Sequence, residues 1–347
     1  MRALFLTLMF AATVLPRQSG PASLTFSGTR GPGAGKHLVL LSGDEEYRSE
    51  EWMPMLAKIL SVRHGFTTSV LFALDQDGTI NPNNEAALSD PGLIDRADLI
   101  VMGLRFRHWS DETMARFERK LQAGTPIVAL RTSTHAFNGF PAESPWARWN
   151  YNNKGGFGTE VLGETWVNHW GRHKVEATRG SIEPSARPHP VLRGVSAIFG
   201  NTDVYEAYPV ADAEILVRGL VLQSLAADAP PASYQKARSS DKQIQDINTP
   251  AMPIVWTRMH RNANGTVNRT LTSTIGSATD FADEGVRRLI VNAVYWGLTL
   301  NVPANADVRV VDPYEPSFYG FDAFRKGLRP ADFAMGHAPA GPAVPPR

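Results

Sequence analysis

The chain has 347 residues, 43% hydrophobic and 20% charged, which is enough apolar content to bury a full core and too little charge for a disordered protein. Its 35 Lys and Arg against 34 Asp and Glu leave no basic field to hold a phosphate backbone, which argues against nucleic acid as a partner and gives no support for membrane binding or stable membrane insertion. No cysteine occurs, so thiol nucleophiles, disulfides and thiolate metal ligands are excluded, and any metal must be held by His and carboxylate.

Arg2 followed by LFLTLMFAATVL, a cation and then an apolar run short for a membrane span, has the layout of a secretory signal peptide. The expectation is a secreted or periplasmic protein with residues 1–35 as signal and flexible leader; a buried or frayed amino-terminal segment is the alternative. HLVLLSG at 37–43 predicts a first strand ending in a polar turn. Residues 50–65 predict a helix, with Trp52, Met55, Leu56, Ile59 and Leu60 at helical spacing, acids in the first turn and Gly65 at the end. FTTSVLFA at 66–73 and DLIVMG at 98–103 predict two more strands around an Asp/Asn/Pro loop. Ser110 then opens a helix with Met114, Phe117 and Leu121 on one face, stopped by Gly124.

Residues 126–137, PIVALRTSTHAF, are the most informative stretch. The apolar run Ile127 to Leu130 stops at Arg131, Thr132, Ser133, Thr134 and His135, and open α/β sheets bind ligands in the crevice outside the carboxyl ends of such strands. Farther on, HKVEATR, EILVRGL, MPIVWTRM and RTLTSTIG look like strands, and residues 285–300 like an amphipathic helix covering the sheet. Residues 225–250 read as a surface insertion, and 301–347 as a Pro-rich extension disordered from 338 on. Strand-helix alternation predicts an α/β fold with a central, mostly parallel sheet between helical layers, because parallel strands need crossovers.

In chain order, GDEEYRSEEW, LRTSTHAF, GETWVNHWGRH, HPVLRGV at 189–195, DVYE at 203–206, PIVWTR at 253–258 and IGSATDF before RRLIVNAVYWGL together resemble the trehalose-utilisation (ThuA-like) family over about residues 36–300. The resemblance implies a flavodoxin-like three-layer sandwich of the class I glutamine amidotransferase type and a role in carbohydrate metabolism. In amidotransferases the residue after the PIVAL-like strand is a nucleophilic cysteine. Here it is Arg131, which neither attacks nor loses its proton near neutral pH, so ammonia release from glutamine is not expected. Relatives carry a histidine at that position and Gly-His near the end; this chain has its histidine at His135 and has Gly276-Ser277, which marks a divergent branch.

Each candidate site residue has a functional and a plainer reading. Arg131 either clamps a substrate oxygen or pairs with Asp44, Glu45 or Glu46. Ser133 lacks the glycines of a nucleophile elbow and reads better as a cap for the next turn, beside Thr132. His135 is the best general acid or base, or a packed histidine. His169 and His173, four apart, suit substrate binding; a divalent metal, completed by Glu164, His135 or Glu206, is the minority reading. Asp203 and Glu206 supply a carboxylate base or form a surface turn.

Tyr47, Arg48, Arg105, Arg107, His108 and Trp109 are expected on the crevice wall. Trp146, Trp149, Trp166 and Trp170 either stack on sugar rings or pack a satellite core. The combined expectation is acid-base chemistry on a small-molecule carbohydrate, such as cleavage or isomerisation of an oxidised glycoside. His135 or His169 moves the proton, Glu206 or Asp44 orients the base, and Arg131 binds an anionic or carbonyl oxygen. No cofactor is expected. The rivals are a non-catalytic sugar-binding protein and a metal-dependent hydrolase, and a homo-oligomer stays open.

Overall fold

The computed structural model describes residues 20–153, 155–337 and 339; the signal-peptide expectation for 1–19 and nearly all of the expected disorder at 338–347 lie outside them. The strands are β1 (Leu24–Phe26), β2 (His37–Gly43), β3 (Thr67–Leu71), β4 (Leu99–Leu104), β5 (Ile127–Ala129), β6 (Asn168–His169), β7 (Thr178–Ile182), β8 (Phe199–Gly200), β9 (Tyr205–Glu206), β10 (Glu214–Val221), β11 (Gln235–Ala237), β12 (Ile244–Asp246), β13 (Met252–Arg261) and β14 (Val267–Ser273). The helices are α1 (Ser49–His64), α2 (Asp111–Gln122) and α3 (Glu284–Gly297).

Ten strands form one sheet in the order β1-β3-β2-β4-β5-β14-β13-β10-β7-β8. Its core, β3-β2-β4-β5-β14, is parallel, and the strands beyond it on both sides are antiparallel. Numbered by appearance, the core strands run 2-1-3-4-5, the flavodoxin-like doubly wound order, and its direction reverses between β2 and β4. The core strands are apolar on both faces because both are covered. Leu38, Leu40, Val101 and Val128 pack with α1 and α3 on one side. Val39, Leu41, Ile100, Met102 and Ile127 pack with α2 and the aromatic segment from Phe137 to Phe157 on the other.

Two expectations are corrected here. The leader from residue 20 on is not all flexible: Leu24 and Phe26 alternate with exposed Thr25 and are buried as β1 pairs antiparallel with β3. Most of HKVEATR is not a strand; residues 173–175 form a turn and β7 begins only at Thr178, since β10 pairs only with 178–182. The extension past residue 300 folds over the outer side of α1. Lys58 Nζ donates to Asp312 Oδ2 at 2.6 Å and the Ser317 amide to Glu51 Oε2 at 2.7 Å, which is why α1 is buried nearly all round. Among the described residues no helix is long and apolar enough to cross a membrane.

Candidate functional site

The tips of β2, β4 and β5 converge at the switch point, and their polar side chains are spent largely on one another. After β2, Asp44 Oδ1 accepts the amides of Glu46 and Tyr47 at 2.8 and 2.7 Å, and its Oδ2 accepts the Thr132 hydroxyl. Burial outweighs those bonds and raises the Asp44 carboxyl above its ordinary range. The Ser133 hydroxyl donates to Met102 O at 3.0 Å and accepts the Leu104 amide at 3.2 Å, so it stitches β5 to β4. Glu45 bonds Arg105 and, at 3.1 Å, Arg107; burial and then Asp44 push it up to about 7 despite both guanidinium groups.

Arg131 is wholly buried. It donates to Asp203 O and Thr274 O, each at 2.7 Å, and to Asp203 Oδ1 at 2.9 Å, with its guanidinium 3.7 Å from the Tyr205 ring centroid and 4.6 Å from that of Tyr47. It is neither a substrate clamp at the surface nor the partner of Asp44, Glu45 or Glu46. Sequence spacing could not reveal that pairing, since 72 residues separate Arg131 from Asp203.

Asp203 is the centre of the arrangement. Its Oδ2 lies 2.8 Å from His169 Nδ1 and its Oδ1 3.1 Å from His173 Nδ1, while His173 Nε2 meets Glu46 Oε1 at 2.9 Å. Burial pushes the Asp203 carboxyl up, but Arg131 and the two histidines outweigh it and hold it far below the ordinary carboxylate range. His173 faces a carboxylate at each ring nitrogen. Burial works against its charge, yet the bonds to Asp203 and Glu46 prevail and raise it, and the ring bridges the two carboxylates. His169 gives Nδ1 to Asp203 and has no partner for Nε2 among the described residues; its side chain is 32% exposed.

These groups border a cavity of about 260 Å³ lined by Glu46, Arg105, Phe106, His135, Trp166, His169, His173, Tyr205 and Phe321. His135 is buried among Phe106, Tyr151 and Trp166. Burial, reinforced by Arg105 and Arg131, lowers it well below its ordinary value and keeps it neutral. The other expected residues divide cleanly. Arg105 reaches the cavity. Tyr47 lies beneath it against Arg131, and the Arg48 side chain is buried and bonds the carbonyls of Glu45 and Gly320.

His108 faces Glu85 at 3.6 Å and Trp109 packs on Phe117 and Phe137, both away from the cavity. Trp146 and Trp149 belong with Trp109 to the core on the α2 face of the sheet, and Trp170 is buried with Nε1 donating to Ile247 O at 2.7 Å; Trp166 alone of the four lines the cavity. Glu206 alternates with Tyr205 along β9, turns from the cavity, and accepts from Tyr208 Oη at 2.6 Å and the Ser239 amide at 2.7 Å. It therefore does not orient His169, and neither does Asp44; Asp203 does.

Two contributors were invisible in sequence. The insertion at 225–250 holds the β6–β9 ribbon, as Lys236 Nζ donates to His169 O and Trp170 O at 2.8 and 2.9 Å. Phe321 arrives from the Pro-rich extension.

His169, His173 and Asp203 offer ligand atoms all within 4.8 Å of one another and are the set that could hold a divalent metal. Against that use stand Arg131, a fixed cation already on the Asp203 carboxylate, and the engagement of both His173 nitrogens. As it stands, the cluster is a histidine-carboxylate pair beside a second histidine that bridges two carboxylates, and His169 Nε2 is the atom positioned for proton transfer.

The strand order and this strand-end cavity define a doubly wound α/β protein of the flavodoxin-like type. No protein-family model and no curated protein matches the chain. Among solved structures it is similar to a ThuA-like protein from Parabacteroides merdae, at 13% identity and TM-score 0.48, covering 76% of this chain and 90% of that one. A ThuA-like protein from Bacteroides uniformis matches at 15% identity and TM-score 0.45, with coverages of 78% and 94%. PurLQS from Thermotoga maritima matches at 8% and 0.39, with 75% and 98% covered. These are likenesses of overall shape, and the fold assignment rests on the strand order itself.

Proposed function

We propose that the chain binds a neutral, ring-form carbohydrate or sugar-derived metabolite and performs acid-base chemistry on it, such as cleavage or isomerisation of an oxidised glycoside. The observation that carries this reading is His169, oriented through Nδ1 by Asp203, with Nε2 unpaired among the described residues beside a cavity of Phe106, Trp166, Tyr205 and Phe321. Aromatic faces accept the C–H face of a sugar while neighbouring polar groups take its hydroxyls. Each basic group around the site already has a carboxylate partner within the protein, Arg105 and Arg107 on Glu45, Arg131 on Asp203 and His173 between Asp203 and Glu46, so none is left free to select an anion.

In this mechanism His169 Nε2 takes the proton, Asp203 keeps its carboxylate form and stabilises the imidazolium, and neutral His135 bounds the substrate. The amino-terminal charge-then-apolar stretch supports a secreted or periplasmic location for this chemistry. The test is turnover of 3-keto and unmodified glycosides by the intact protein and by His169→Ala and Asp203→Asn. Loss of turnover with the fold retained is expected, and parental rates in H169A would remove the role. Sugar binding with no product would instead favour a non-catalytic binding protein. A second reading, a metal-dependent hydrolase, is favoured by the spacing of His169, His173 and Asp203, and stoichiometric metal in elemental analysis of the purified protein would replace the acid-base mechanism with it.

A further inference from the structure

The C-terminal extension carries an aromatic ring to the rim of this cavity and fixes it there. The Gly320 amide donates to Glu46 O at 2.9 Å, and the Gly320 carbonyl accepts from the Arg48 guanidinium. One residue beyond the ring, Asp322 Oδ1 accepts from Asn83 Nδ2 at 2.7 Å. One residue before Gly320, Tyr319 is buried, with its ring 5.1 Å from that of Tyr47 and 5.5 Å from that of His173. Between these pinned neighbours Phe321 stays 52% exposed, with the Arg105 guanidinium 5.0 Å from its centroid. Of the exposed large apolar side chains among the described residues, Phe321 is the one that lines the cavity. A ring held in solvent between backbone bonds at Gly320 and a side-chain bond at Asp322 has less freedom left to lose when a partner arrives.

We propose that Phe321 is a specificity-determining residue that stacks on the apolar face of a pyranose ring entering the cavity, which makes the C-terminal extension part of the site. This deepens the carbohydrate reading above and rests on it. The cavity offers such a ring Trp166, Phe106 and Tyr205 as further apolar surface, with Glu46, Arg105, His169 and His173 as hydroxyl partners. An open-chain polyol has the same hydroxyls but no rigid apolar face, so the ring at 321 discriminates shape rather than polarity.

The experiment is calorimetric titration of the full chain with methyl α-D-glucopyranoside, methyl β-D-galactopyranoside and mannitol, for the parent, Phe321→Ala and Phe321→Trp. The parent is expected to bind a pyranoside in preference to mannitol. F321A is expected to weaken the pyranoside by roughly tenfold without changing the affinity for mannitol, and F321W to stay within about threefold of the parent. Near-ultraviolet circular dichroism checks that F321A keeps the native packing. Pyranoside binding unchanged in F321A overturns the role of Phe321 and leaves the carbohydrate reading standing. If the parent binds neither pyranoside, this proposal falls, and the carbohydrate reading rests on the turnover of oxidised glycosides alone.

Discussion

The strand tips and the irregular segments around them divide the work in an unexpected way. Asp44, Arg107, Arg131, Thr132 and Ser133, at the tips of the parallel core, are buried and bonded to one another, to backbone or to Asp203. His169, Trp166 and Phe321, from the loop, ribbon and extension beside them, keep surface toward the cavity. A polar group at the end of a buried strand must be satisfied or pay its desolvation, and here the protein satisfies it internally. Most of the tip residues hold the frame, although Glu46, Arg105 and His135 reach the cavity, and the less regular chain presents His169.

That division can be broken experimentally. The largest expected effect is on turnover: His169→Ala should cost roughly 10²–10⁴-fold while the unfolding midpoint stays close to the parent's, because the ring is part exposed. Arg131→Met should do the reverse, losing about 3–5 kcal/mol in denaturant unfolding by leaving Asp203 charged and buried without its cation. If R131M instead keeps its stability and loses only ligand affinity, the tips are the reactive region after all.

pH sharpens the comparison. Glu50, in the first turn of α1, has neither carboxylate oxygen hydrogen-bonded among the described residues, and burial first, then neighbouring Glu51, push it up to about 8 although Arg48 opposes the shift. Between its ordinary value and about pH 8 the folded state holds a proton that the unfolded state has lost, so this group makes stability fall as pH rises. His173, raised in the folded state, acts in the same direction: its stabilisation is complete below its ordinary value and is lost as pH climbs through the raised one. Glu50→Gln and His173→Gln should each flatten the decline from pH 5 to 8, measured by urea unfolding across that range, by up to on the order of 1 kcal/mol per pH unit. A steeper decline in either variant would contradict its assignment. The smallest effect belongs to Ser133→Ala, about 1 kcal/mol of stability from its two backbone bonds and no change in turnover; lost turnover with intact folding would revive a nucleophile at the elbow.

The sheet core was legible because its signals are local. Short apolar runs, helical spacing in α1, α2 and α3, and glycines at helix ends report on neighbouring residues, and the expected elements from β2 to β5 follow them closely. β1 was missed because three residues carry too little periodicity, and β7 was placed early because the apolar content of HKVEATR does not reveal which residues find a partner on β10. Of the expected site residues, His135, His169, His173 and Arg105, singled out by residue type and position after a strand or near aromatics, line one cavity. His108 and Trp109 were expected on the wall by the same logic and sit elsewhere, since a residue next to a strand end points where the local backbone turns it, and Trp170 took the packing alternative.

By itself the sequence determined the absence of thiol chemistry, the near balance of charge, and a parallel α/β core with its polar strand ends, all of which depend on composition or on residues a few places apart. Only the tertiary structure decided that Asp203 is the hub joining Arg131, His169 and His173, and that the chain after α3 returns to put Phe321 at the cavity rim. Those contacts span dozens to hundreds of residues, and no local pattern encodes which distant partner will satisfy a buried charge.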